Sequence, residues 1–146
     1  MKRLALLLAL IALAACETVA TDATKPSVTP AITGDLTLGD SWRTQTQAQT
    51  LDAFAHTIAG RYGAGTLTER AIADLQHASF TCGENHDVGG RGSPPNEICR
   101  HTEVANGCTH TWQVHLFDTS GDGRITRARA LFDKRCGREG LLGGPS

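Results

Sequence analysis

The chain has 146 residues, with 14 Lys+Arg against 15 Asp+Glu and a formal net charge of −1. That balance excludes a nucleic-acid binder whose whole domain is basic. Hydrophobic residues make up 40%, which excludes a fully disordered chain, but aromatics are only 5%, so any core rests mostly on Ala, Leu, Ile and Val.

The first segment reads as an export signal. Lys2 and Arg3 form a positive start, and residues 4–13 are apolar throughout. That run is shorter than the roughly 20 residues a bilayer span needs. Small residues Ala14 and Ala15 precede Cys16. Leu13-Ala14-Ala15-Cys16 closely resembles the lipobox of bacterial lipoproteins. The resemblance implies a signal peptide at residues 1–15, cleavage before Cys16, a diacylglycerol thioether on Cys16 and acylation of its amino group. Each buried CH₂ adds about 0.8 kcal/mol, so two or three acyl chains anchor stably. Glu17 stands where the inner-membrane retention signal of this family has Asp. The implied location is therefore the outer membrane, facing the periplasm. Cleavage removes Lys2 and Arg3, leaving 12 basic against 15 acidic residues and a net charge of −3.

Residues 16–40 are rich in Thr, Ala, Asp and Pro, with no lasting apolar period, and read as a lipidated flexible tether. Residues 41–136 form the expected single domain, and the Gly-rich residues 137–146 a disordered tail. A helix is predicted over residues 44–61, from the stripe Leu51, Phe54, Ala55, Ile58, Ala59 and Tyr62. Gly60, Gly63 and Gly65 close it. A second helix is predicted over residues 67–77. Thr66 and Glu69 fit a capping box, and Leu67, Ala71, Ile72 and Leu75 form its apolar face.

A short strand is predicted over residues 79–82, then a Gly/Pro loop over residues 83–96. Two strands, residues 97–104 and 108–118, flank Asn106-Gly107, a strong hairpin signal. A last strand is predicted over residues 124–133. Trp112, Val114 and Leu116 alternate with Gln113 and His115; Ala128, Ala130 and Phe132 alternate with Arg127 and Arg129. The expected class is α+β, two helices packed on a three- to four-stranded antiparallel meander, disulfide-stapled. This order of elements is similar to that of the small lipoprotein of the outer-membrane β-barrel assembly machine and of the β-lactamase inhibitor proteins. The likeness implies a sheet used for protein contact, and no motif carries a residue role across.

With Cys16 assigned to lipid, Cys82, Cys99, Cys108 and Cys136 remain, an even number that reads as two disulfides in an oxidising compartment. Pairing Trp112 with Phe132, Val114 with Ala130 and Leu116 with Ala128 gives one constant sum of residue numbers, which 108 and 136 share. Cys108–Cys136 is therefore expected, and Cys82–Cys99 follows.

Asp118, Ser120, Asp122, Gly123 and Ile125 resemble positions 1, 3, 5, 6 and 8 of an EF-hand calcium loop. Position 12 is Arg129 rather than the bidentate Glu, and no flanking helix is expected. The plainer reading is a Gly/Asp turn between strands. Histidines 56, 77, 86, 101, 110 and 115 invite a zinc reading through Cys99-x-His101 and Cys108-x-His110, which needs free thiolates. The sequence lacks G-x-S-x-G, H-E-x-x-H and P-loop motifs. The expectation is a non-catalytic module with no cofactor, bound to the bilayer through Cys16. Its partner would be an envelope protein or an anionic polymer, not nucleic acid. Arg124, Arg127, Arg129, Lys134, Arg135 and Arg138 suggest a basic sheet face. The alternative is a calcium- or zinc-binding module using residues 118–123 or the sheet histidines.

Overall fold

A computed structural model describes residues 32–86 and 92–137. The expected export signal, Cys16, residues 17–31, residues 87–91 of the expected Gly/Pro loop and the expected tail beyond Gly137 lie outside the described residues. The elements are a 3-10 turn (Ser41–Arg43), α1 (Gln47–Arg61), α2 (Thr68–His77), β1 (Thr81–Glu84), β2 (Glu97–Ala105), β3 (Cys108–Phe117) and β4 (Arg127–Cys136). The strands form one antiparallel sheet in chain order, β1-β2-β3-β4. The expected class, helices on a stapled meander, is what forms.

The β3–β4 register is the one expected from alternation. Trp112 lies opposite Phe132, Val114 opposite Ala130, Leu116 opposite Ala128 and Cys108 opposite Cys136. The β2–β3 hairpin turns on Asn106 and Gly107 at φ 52° and 71°, the left-handed pair that a two-residue turn needs to match strand twist. Both disulfides are present, Cys82–Cys99 and Cys108–Cys136. Each ties an edge strand to its inner neighbour. Their sequence separations are 17 and 28 residues. Loops of that size are worth about 3 kcal/mol each in the chain-entropy account.

The helices cover one face of the sheet. Phe54, Ile58 and Tyr62 of the predicted stripe are buried, with Ala71 and Leu75 from α2, whereas Ala59 is exposed. They meet Cys99, Trp112, Val114, Leu116 and Phe132. Trp112 is the centre of the aromatic contacts. Trp42 packs edge-on at 5.1 Å and Phe132 tilts against it at 5.0 Å. His110 shares this layer, 3% exposed and 4.5 Å from Trp42 between ring centres. The even parity of β3 thus carries an imidazole into the core, where a polar strand position was expected. Its Nδ1 has no hydrogen-bond partner.

Several boundaries move for identifiable reasons. The tether expected through residue 40 ends earlier: Leu36 is buried, and Ile32 and Leu38 pack on the core. α1 begins three residues later than predicted because Thr46 caps it. The Thr46 hydroxyl accepts from the Gln49 amide, and the Gln49 side chain accepts from the Thr46 amide. The capping box expected at Thr66 does not form. Thr66 is drawn into a bridge with the β3–β4 connection, its carbonyl accepting from the Ile125 amide. Leu67 becomes the N-cap, and Gly123 O accepts from the Thr68 amide in place of a capping side chain.

β1 starts at Thr81 rather than Ser79, because Ser79 ends α2. Phe80 N donates to Leu75 O and Ser79 N to Gln76 O, the two bonds of a Schellman motif, with Ser79 at φ 67°. β4 starts three residues later than predicted, because Arg124 and Ile125 pair with residues 65–67 instead.

Arg61, Tyr62 and Asp74 join the two helices and the N-terminal strap. Arg61 Nη2 donates to Asp74 Oδ1 at 2.7 Å, and Tyr62 Oη donates to Asp74 Oδ2. Arg61 also donates to the carbonyls of Thr33 and Gly34. Burial pushes the Asp74 carboxyl up, but the Arg61 and Tyr62 donors outweigh it and hold it below the ordinary range. Burial first, then its bond to Asp74, pushes the Tyr62 phenol up.

Two outcomes follow. Ser79→Gly should raise stability by about 0.5–1 kcal/mol, read as a higher urea midpoint, since glycine takes the left-handed C-cap without a Cβ clash. Asp74 is proton-free to lower pH when folded than when unfolded. Its stabilisation is therefore complete above the unfolded carboxylate range, about pH 4, and fades as pH falls through its folded value. Asp74→Asn should cost about 3 kcal/mol at neutral pH and flatten the acid limb of the stability profile; an unchanged limb would contradict this.

Candidate functional site

The sheet face opposite the helices is the best-formed candidate surface. Strand alternation turns Ile98, Arg100, His115, Phe117, Arg127 and Arg129 onto it. No described helix covers it. Among its strand positions Asp133 is the one carboxylate, and it is paired with Arg135 at 2.8 Å. Arg100, Arg127 and Arg129 have no carboxylate partner among the described residues.

At one end this face becomes a groove of about 830 Å³. It is lined by the Pro94-Pro95 wall and Ile98, by Arg127, Arg129 and His115, and by the polar Asn85, Ser93, Thr119 and Thr126. That volume falls within the range of small-ligand sites. The proline wall is held in place by asparagines. Asn85 Nδ2 donates to Pro95 O at 3.1 Å, the Asn96 amide donates to Leu116 O, and Asn96 Oδ1 accepts from the Asp118 amide at 2.7 Å.

Phe117 is buried at the base of the groove, 4% exposed, although its parity is outward. The Arg127 guanidinium lies over its ring, 4.0 Å from the centroid. This cation–π contact holds the guanidinium against the ring without using its N–H groups. His115 stands opposite Arg129 in the ladder. Burial first, then the charges of Arg129 and Arg100, push its pKa down, so its imidazole is neutral at neutral pH.

The loop after β3 brings Asp118, Ser120 and Asp122 together, as the calcium-loop likeness requires. Their oxygens are engaged within the loop. Asp118 accepts from the amides of Gly121 at 2.7 Å and Gly123 at 2.8 Å, and Ser120 donates to both Asp118 and Asp122. A small loss of hydration raises the Asp118 carboxyl, but the Gly123 and Gly121 amides outweigh it and hold it below the ordinary range. Arg129, at the twelfth position, lies on β4 facing the groove, away from where a closing carboxylate would stand. The loop's evident work is structural: it delivers Ile125, 1% exposed, to the core and pairs with residues 65–67.

The zinc ligands suggested by the sequence are not brought together among the described residues. Cys99 and Cys108 are oxidised, so they offer no thiolate. His101 and His110 lie on the helix-covered face on either side of Trp112, and His115 lies on the other face. Among the described residues no three His, Cys, Asp or Glu side chains gather into a metal-holding group.

The basic patch foreseen in the C-terminal third divides. Arg127, Arg129 and Arg135 face outward, Lys134 takes the helix-side register opposite His110, and Arg124 donates to Gly65 O. Arg138 lies outside the described residues. The groove itself was missed. Its signals were the outward phenylalanine next to the Asp118 turn and the Pro94-Pro95 pair, and neither places the loop against the strand by local pattern.

Melting curves in calcium and in EDTA should coincide. Asp118→Ala should lower the midpoint in both, because the Gly121 and Gly123 amides lose their acceptor. A rise in calcium that vanished in this variant would reinstate the ion-binding reading. No family model matches the chain, and no curated protein or solved structure is significantly similar to it.

Proposed function

We propose that the chain is a lipid-anchored lipoprotein of the bacterial envelope, held on the outer membrane and facing the periplasm, where it acts as a non-catalytic binding module. One observation carries this reading. The chain has five cysteines, and Cys82, Cys99, Cys108 and Cys136 are consumed pairwise. Cys16 is the remaining thiol, and it is the residue at which the lipobox-like sequence places the acyl chains. Disulfides persist in oxidising compartments, which agrees with export.

The binding part of the proposal rests on the outward sheet face, where Arg100, Arg127 and Arg129 have no carboxylate partner among the described residues. It suits an anionic envelope polymer or an acidic protein surface, by charge complementarity. The same arginines discourage strand-to-strand association of identical copies, since like charges would stand opposed.

Intact mass of the mature protein tests the anchor, with and without reductant. The expected result is a chain beginning at Cys16 and carrying acyl mass, with a four-hydrogen gain on reduction. Cys16→Ser should move the protein from the membrane to the soluble fraction. An unacylated Cys16, or reactive thiols in the unreduced denatured chain, would overturn the reading.

A further inference from the structure

We infer that the groove between the Pro94-Pro95 segment and β4 is a binding site for a phosphate group, with Arg127 and Arg129 as its two cationic donors. The inference rests on the binding-module reading above and names the ligand chemistry of that face.

Three features converge on an oxyanion. Neither arginine is neutralised by a carboxylate among the described residues. Pro94, Pro95, Ile98 and buried Phe117 line the same groove as the two arginines, which are exposed. Guanidinium–phosphate hydrogen bonds are charge-assisted, and the planar fork suits phosphate oxygens. Arg127 is already oriented by its stacking on Phe117, so less freedom is lost when it binds.

The charge count selects phosphate over carboxylate. Two guanidinium groups are matched by one dianion, whereas a single carboxylate leaves one cation exposed to its neighbour. Arg127 and Arg129 are two residues apart on one strand face, so their backbone positions lie about 7 Å apart. Two side chains converging from that spacing can each place an N–H at about 2.8 Å from a different oxygen of one tetrahedral group. His115, opposite Arg129, adds no charge to the groove; its Nε2 is turned to Gln113 Oε1 at 3.4 Å.

A phosphate group has two possible sources, a lipid headgroup or a soluble phosphate compound, and the test separates them. The first arm melts the mature chain at constant ionic strength in inorganic phosphate, acetate or chloride. Phosphate should raise the midpoint to a plateau, and acetate and chloride should not. Arg129→Gln should weaken the apparent affinity about tenfold or more. Arg127→Gln/Arg129→Gln should abolish the rise, while Arg100→Gln, outside the groove, keeps it.

The second arm sediments the Cys16→Ser chain, which lacks acyl chains, with phosphatidylcholine vesicles with or without phosphatidic acid. Binding only to the phosphatidic acid vesicles, lost in the double variant, assigns the group to a lipid. No vesicle binding beside a phosphate-dependent melt assigns it to a soluble compound. No rise with phosphate, a rise that survives in the double variant, or an equal rise with acetate would overturn the site. An unacylated Cys16 would sink the anchor and leave the phosphate melt unaffected, so the two failures are distinguishable.

Discussion

Everything in this fold depends on the pairing register of β3. Side chains alternate along a strand, so one residue of slippage would exchange its two faces. In the observed register Cys108, His110, Trp112, Val114 and Leu116 point at the helices, and Thr109, Thr111, Gln113, His115 and Phe117 point away. The Cys108–Cys136 bridge exists only in this register. So does the apposition of Trp112 with Phe132, and so does the line of arginines on the far face. Core, staple and candidate site are three consequences of one alignment. The left-handed Asn106-Gly107 turn fixes the same alignment from the β2 side.

A body this small with few aromatics gains much from constraints outside its core. The two bridges close the sheet from both edges, and the Arg61–Asp74–Tyr62 cluster locks the helices to each other and to the strap. Some polar groups are left unsatisfied in the interior, including the Thr66 and Thr68 hydroxyls and His110 Nδ1. Such groups cost about 1–3 kcal/mol each, which the disulfide constraints help offset. Edge strands stapled in this way have less freedom to peel and pair with other chains.

The sequence made much of this readable. Alternating residues in β3 and β4 stated their own register, and that register chose the cysteine partners. Both helices were legible from apolar stripes, within three residues at each end. The misses have a common physical origin in contacts between distant segments. Thr66 fits a local cap, yet its backbone is taken by Ile125, about sixty residues away in sequence. Leu36 lies in a stretch whose composition reads as linker, and burial against α1 and the sheet overrides that. His110 looks like a surface imidazole until parity places it beside Trp42. The groove needs the Pro94-Pro95 segment held beside β3, and the Asn85 and Asn96 bonds hold it there.

The strap fixes where the chain leaves the body. Arg61 grips Thr33 and Gly34 at the end of α1, so the polypeptide departs toward its N-terminus from the helical layer. In the proposed lipoprotein the anchor at Cys16 lies on the N-terminal side of that grip, so its pull enters the body through the strap. Arg127 and Arg129 stand on the opposite layer, the sheet face away from the helices. Tension on the N-terminal end is thus borne by the layer that does not carry the candidate site, and the arginine face is left free of load.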